Sequence, residues 1–180
     1  MPNWCENRLT ITGPMADRGA FIRGFGAEDE DDTGLHFIDR YIPMPESIGD
    51  GWYDWCLNNW GTKWADCDTR IITDDSEETI VVFNTAWGPP QSAIETISGM
   101  FPSLTFHLSH NEPGMCFMGI DVYLKGDVAA SWEIHHDRYP SMGSVEDDAW
   151  EAHLEAVESM FVMGNKMIDI QRNWGREISL

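Results

Sequence analysis

Apolar and polar side chains alternate from residue 3 to residue 12, with Cys5, Leu9 and Ile11 on one side and Glu6, Arg8, Thr10 and Thr12 on the other. That is the period of a β-strand. Gly13 and Pro14 stop it, and Phe21, Ile22 and Phe25 then share one face of a short helix closed by glycines 24 and 26. Five consecutive acids at 28–32 predict a solvated loop. Residues 35–45 are apolar but broken by Pro43 and Pro45, which predicts an extended segment crossing the surface. A short helix is expected over residues 52–59, ending at Gly61. Residues 69–73 and 79–85 read as a hairpin, and its second arm is apolar on both faces at Ile80, Val81, Val82 and Phe83, as a central strand would be. Trp87, Gly88, Pro89 and Pro90 lead into a helix striped by Ala93, Ile94, Ile97, Met100 and Phe101, which Pro102 ends. Leu104, Phe106 and Leu108 alternate with Thr105, His107 and Ser109, a half-buried strand; a hairpin follows, with Met118, Ile120, Val122 and Leu124 on one arm and Val128, Ala130, Trp132 and Ile134 on the other. Ser144 and Asp147 frame a capping box for a helix carrying Trp150, Leu154, Val157 and Phe161, with Gly164 at its C-cap. Residues 165–180 hold Lys166, Arg172 and Arg176 and fit a tail strand or a loop equally.

With residues 26–66 set aside, the order is strand, helix, strand, strand, helix, strand, then a further hairpin. This is an α+β fold, the split β-α-β order of a ferredoxin-like sandwich. It predicts one domain over residues 1–180: a core from 1–25 and 67–136, an acidic and Trp-rich insertion at 26–66, and a C-terminal helix and tail at 137–180. The two core helices cover one sheet face. The insertion and the C-terminal helix are the expected cover for the other.

Charge narrows the possible partners. Thirty-one acids against eleven lysines and arginines give a net −20, which repels phosphate backbones and anionic membranes and suits a basic protein partner or plain solubility. No basic region followed by an apolar run opens the chain, and no stretch is long and apolar enough to span a bilayer, so a cytoplasmic protein is expected. Cys5, Cys56, Cys67 and Cys116 lie far apart with no C-x-x-C pair, the pattern of reduced, mostly buried thiols. Nothing in the sequence implies a cofactor.

The densest chemistry lies at residues 52–64, where four of nine tryptophans fall within thirteen residues beside Asn59, Thr62 and Lys63. Indole faces stack on nucleobases and a lysine meets a phosphate. Trp60, Lys63, Trp64 and Trp87, with Trp4, Asn7, Arg8, Asn59 and Thr62 as neighbours, could hold a small nucleotide, and Arg8, Lys63 and Arg70 could reverse the local sign of charge. The same rings could equally pin the insertion to the sheet, and the sequence leaves both readings open. A second group, His107, His110, Glu112 and Cys116 with His135, His136 and Asp137, carries metal-ligand types but no H-E-x-x-H or C-x-x-C spacing. A third is the acidic surface at 28–32, 74–78 and 146–158, which could imitate the phosphate spacing of DNA and occupy an enzyme's basic groove.

Three short pieces carry a family resemblance: P-N-W-C-E-N at 2–7, N-W-G-T-K-W at 59–64 and F-N-T-A-W-G-P-P at 83–90. Glu112, Pro113 and Gly114 leading to Phe117 and Gly119 form a looser fourth. With these the chain resembles the YubB-like proteins of phages and plasmids, described as carrying a ferredoxin-like domain. The resemblance implies that fold and carriage on a phage or plasmid, and it brings neither an activity nor catalytic residues. The expectation is a non-enzymatic accessory protein that binds a nucleotide-like ligand, as in sequestering an immune signal. The alternatives are an acidic inhibitor of a basic host protein and, third, a metal-dependent hydrolase.

Overall fold

Six strands, β1 (Trp4–Thr12), β2 (Cys67–Asp74), β3 (Glu78–Ala86), β4 (Thr105–Glu112), β5 (Phe117–Leu124) and β6 (Asp127–His135), form a single antiparallel sheet in the order β2-β3-β1-β4-β5-β6. A computed structural model of the chain describes residues 3–26 and 34–135. The chain divides into two compact units, residues 1–135 and 136–180, and the described residues belong to the first. The predicted C-terminal helix, the tail and the acids at 28–32 lie outside the described residues.

β1 (Trp4–Thr12) is central, between β3 (Glu78–Ala86) and β4 (Thr105–Glu112). β2 (Cys67–Asp74) flanks β3, and β5 (Phe117–Leu124) and β6 (Asp127–His135) extend the sheet beyond β4. The first four strands therefore lie in ferredoxin-like order, and the hairpin is an addition at one edge. Lys125 and Gly126 turn that hairpin with φ of 57° and 86°, the paired positive angles that match the twist of the strands.

Helices α1 (Met15–Ile22) and α4 (Gln91–Met100) lie on one face, as the order of the elements predicted. The insertion contributes α2 (Ile38–Tyr41) and α3 (Trp52–Asn59). Leu9, Ile11, Val81, Phe83, Phe106 and Leu108 from the sheet meet Phe21, Ile94 and Ile97 from the helices, together with Cys56 and Trp60 from the insertion, in one core. Phe21 is its hub, with the rings of Phe25, Phe37, Tyr41, Phe101 and Phe106 at 5.0–5.9 Å.

Three expectations need correction. Residues 35–45 do not simply cross the surface, because Phe37 and Ile38 are fully buried. The buried carboxylate of Asp66 makes that possible, accepting hydrogen bonds from the amides of Phe37 and Ile38 and from the hydroxyl of Thr69. The insertion packs on the same face as α1 and α4 rather than on the opposite one, since Phe37, Cys56 and Trp60 share a cluster with Phe21 and Ile94. β4 is buried on both faces, with Phe106 and Leu108 on one and His107 on the other, and β5 likewise hides Met118 and Val122 as well as Tyr123. Among the described residues no helix is long and apolar enough to cross a membrane.

Candidate functional site

Three chain segments converge where β1 begins and β3 ends. The amide of Trp87 donates to the carbonyl of Asn3 at 2.9 Å. The Thr62 hydroxyl donates to the carbonyl of Ala86 at 2.8 Å, and that of Thr85 donates to the carbonyl of Gly88 at 2.7 Å. The Asn7 amide donates to Cys5 O and Thr85 Oγ1 at 2.9 and 2.8 Å. Gly61 turns the chain out of α3 with φ of 80°, against the first amides of α4; a Cβ there would meet Gln91 N and Ser92 N at 3.2 Å.

These bonds set out a surface of indoles. Trp4 and Trp64 lie with ring centroids 6.1 Å apart at a 47° tilt. The Lys63 ammonium is 4.8 Å from the Trp64 centroid and 4.9 Å from that of Trp87, within cation–π range of both. Trp4, Trp64 and Trp87 keep 40%, 37% and 41% of their surface exposed. Trp87 also has φ of 67°, a conformation rare for a bulky residue and common where a site over-determines its backbone.

The nine residues singled out from the sequence therefore separate. Trp4, Lys63, Trp64 and Trp87 come together at the surface. Trp60 is buried, its indole N–H donating to Ile42 O at 2.9 Å and its ring set edge-on to Trp55 at 5.3 Å. Thr62 and Asn7 are buried in the bonds just described, and Asn59 donates to Trp55 O within its own helix. Arg8 stands on the second sheet face, in register with Val82 and Ser109. Helical spacing distinguishes Trp60 from Trp64: Trp60, at the C-cap of α3, is four residues after the buried Cys56 and continues its stripe, whereas Trp64 follows the break at Gly61.

A hollow of about 840 Å³ opens at the start of β2, lined by Leu35, His36, Asp68, Thr69, Arg70 and Asn84 among others. Asp68 has φ of 54° at an irregularity in the β2–β3 pairing, and the Asn84 amide donates to its carboxylate at 3.3 Å. Of these, only Arg70 was a candidate for binding from the sequence. A bulge leaves no periodic signature, so nothing pointed to Asp68, and Asn84 stood out only as part of the piece at 83–90.

The histidine group separates too. His107 and His110 lie on opposite faces of β4, and among the described residues no three His, Cys, Asp or Glu side chains are grouped to share an ion. His110 is instead buried under the start of α4, its Nε2 3.5 Å from Asp121 Oδ2, which also accepts from Gln91 at 2.8 Å. Burial pushes the Asp121 carboxyl up, but the hydrogen bonds from His110, Ser131 and Gln91 outweigh it and hold the group below its ordinary range. Burial raises Glu112, whose carboxylate accepts the amides of Gly114 and Met115. Burial also pushes the Cys5 thiol up to about 12, far from the thiolate a nucleophile requires.

Residues 59–158 match the family model described as the ferredoxin-like domain in Api92-like protein. The chain belongs to that family. The crystal structure of protein api92 from Yersinia pseudotuberculosis superposes with a TM-score of 0.57 over 77% of this chain and 100% of that one, at 12% identity. At that identity the likeness speaks to the fold, and the fold agrees with the family. No curated protein matches the sequence. The family match begins at Asn59, so it takes in Lys63, Trp64 and Trp87 of the aromatic surface, and Trp4 stands before it.

Proposed function

We propose that the protein is a non-enzymatic binding protein that takes a small nucleotide-like ligand on Trp4, Lys63, Trp64 and Trp87. The observation that carries this is the ammonium of Lys63 resting on two half-exposed indoles. A purine or pyrimidine ring gains about 1–3 kcal/mol by stacking on such a face, and the flexible lysine can turn from the rings to a phosphate. Carriage on a phage or plasmid, which the resemblance of residues 2–7, 59–64 and 83–90 implies, belongs to the same proposal. A cytoplasmic protein of that origin would serve by sequestering a nucleotide signal of host defence. The net −20 opposes an anionic ligand at long range, so the local cation has to offset it.

The test is titration of the purified protein with nucleotides and ADP-ribose, followed by indole fluorescence and calorimetry. Trp87→Ala and Lys63→Ala are each expected to weaken binding tenfold or more with the unfolding midpoint nearly unchanged. Wild-type protein that binds none of these compounds, or folded variants that bind as well as wild type, overturns the proposal. Trp60→Ala is no test of binding, because Trp60 belongs to the core.

A further inference from the structure

We infer that the hollow beside β2 is a sugar and phosphate subsite continuous with the aromatic surface, so that the ligand class is a ribonucleotide rather than a free base or a deoxynucleotide. This rests on the reading of Trp4, Lys63, Trp64 and Trp87 as the base-binding surface.

The sheet register supplies the order of the parts. On the second face Trp4 pairs with Ala86, Glu6 pairs with Asn84, which pairs in turn with Cys67, and Arg8 pairs with Val82, which pairs with Arg70. Rows of same-face side chains follow one another by two residues, about 7 Å along the strands. An indole, the Asn84 amide with the Asp68 carboxylate brought to it by the adjacent irregularity in β2, and a guanidinium thus succeed one another in the order of base, sugar and phosphate.

The middle row has the chemistry of diol recognition. Each ribose hydroxyl is both donor and acceptor, and the Asp68 carboxylate offers acceptors while the Asn84 amide offers donors and an acceptor. The two already lie at 3.3 Å, so they are set side by side before any ligand arrives. Asp68 holds a left-handed backbone with φ of 54°, a conformation aspartate tolerates but which still costs free energy. The side chain lines the hollow together with Asn84 and Arg70. In the third row Arg70 is exposed, and its planar fork matches two phosphate oxygens at once. The hollow, at about 840 Å³, lies within the range of about 300–1,000 Å³ that small-molecule sites occupy.

The experiment titrates the full chain with the four ribonucleoside 5′-diphosphates and their 2′-deoxy counterparts, using wild type, Asp68→Asn, Arg70→Gln and Trp87→Ala. Asparagine keeps the tolerance for the left-handed backbone while removing the charge, and circular dichroism confirms that each variant is folded. The expected result is that at least one ribonucleotide binds wild type tenfold or more tightly than its deoxy form. Asp68→Asn should bring that ratio within twofold, and Arg70→Gln should weaken both forms alike by about tenfold. Equal binding of ribo and deoxy forms, or a ratio that Asp68→Asn leaves intact, overturns the subsite; the aromatic site then stands if Trp87→Ala still abolishes binding. Failure of every diphosphate to bind wild type overturns the subsite, and overturns the aromatic site as well if ADP-ribose and the other nucleotides also fail to bind.

Discussion

The two ends of the sheet use their cations in opposite ways. At the end where β1 stops, Arg18 is 1% exposed, and its guanidinium donates to Gly13 O, Thr79 Oγ1 and Asp75 O at 3.2, 2.9 and 2.9 Å. Asp74 lies 3.7 Å from it, and Asp75 accepts the amides of Glu77 and Glu78, which holds its carboxyl below the ordinary range. Charge there is consumed in closing the turns. At the end where β1 starts, Lys63 rests on two indoles and, among the described residues, on no carboxylate, although the chain carries thirty-one acids. Among the described residues that ammonium has no carboxylate partner, and it lies beside aromatic surface left out of the core. The clamp and the exposed cluster make the first end structural and the second a candidate for binding.

The largest expected effect lies at the clamped end. Arg18→Ala leaves the Gly13 and Asp75 carbonyls without this donor and takes one hydrogen bond from Thr79, and losing three bonds from a charged donor at about 1–2 kcal/mol each costs about 3–5 kcal/mol. Denaturant unfolding measures it, and a loss below about 1 kcal/mol would mean that the turns close without the clamp. No periodicity announces this role. An arginine four residues into a short helix reads as a solvent-facing residue, and its partners at 74–79 are about sixty residues away. The elements themselves were far more legible: β1 obeys alternation, and α3 covers residues 52–59 as expected because Gly51 and Gly61 bracket it. The hidden features are those made by long-range hydrogen bonds, such as Asp66 drawing Phe37 and Ile38 into the core despite Pro43 and Pro45 close behind.

Asp66 carries the next effect, because it anchors the insertion two residues behind the exposed Trp64. Asp66→Ala leaves the amides of Phe37 and Ile38 without their acceptor and should cost about 2–3 kcal/mol. Its titration gives a separate signature. Burial raises the carboxyl's pKa against the pull of the bonds from Thr69, Ile38 and Phe37. The folded chain therefore holds this proton more tightly than the unfolded chain, whose aspartate titrates near about 3.9. The contribution is complete below that value and is lost as pH rises through the raised folded pKa. Unfolding midpoints of wild type and Asp66→Asn measured from pH 3 to 7 should show the wild-type advantage shrinking upward; an advantage that grows with pH contradicts the assignment to burial.

Gly119 tests whether the polar cluster near the aromatic end is packed or merely enclosed. A Cβ there would lie 2.6 Å from both Cε1 and Nε2 of His110 and 2.8 Å from the carbonyl of Trp132. The imidazole can turn, but the carbonyl belongs to the neighbouring strand and cannot. Gly119→Ala is expected to cost about 1–2 kcal/mol through overpacking, and Gly119→Ala combined with His110→Ala should recover only the part due to the ring. Full recovery in the double variant would place the whole conflict on His110.

Lys63 is the smallest effect on stability and the sharpest on the contrast between the two ends. Replacing it by methionine keeps most of the apolar stem over Trp64 and Trp87 and removes only the charge. Cation–π contacts at exposed sites contribute about 0.5–1 kcal/mol, so Lys63→Met should lower stability by about 1 kcal/mol or less, several-fold below Arg18→Ala. The indole emission of Trp64 and Trp87 should change, since the ammonium sits 4.8 and 4.9 Å from their centroids. If Lys63→Met instead destabilises as strongly as Arg18→Ala, the lysine is a clasp, and the aromatic end is a second closed corner of the fold. If stability holds while nucleotide affinity falls, the same ammonium that contributes little to folding contributes to capture, which separates a site from a clasp.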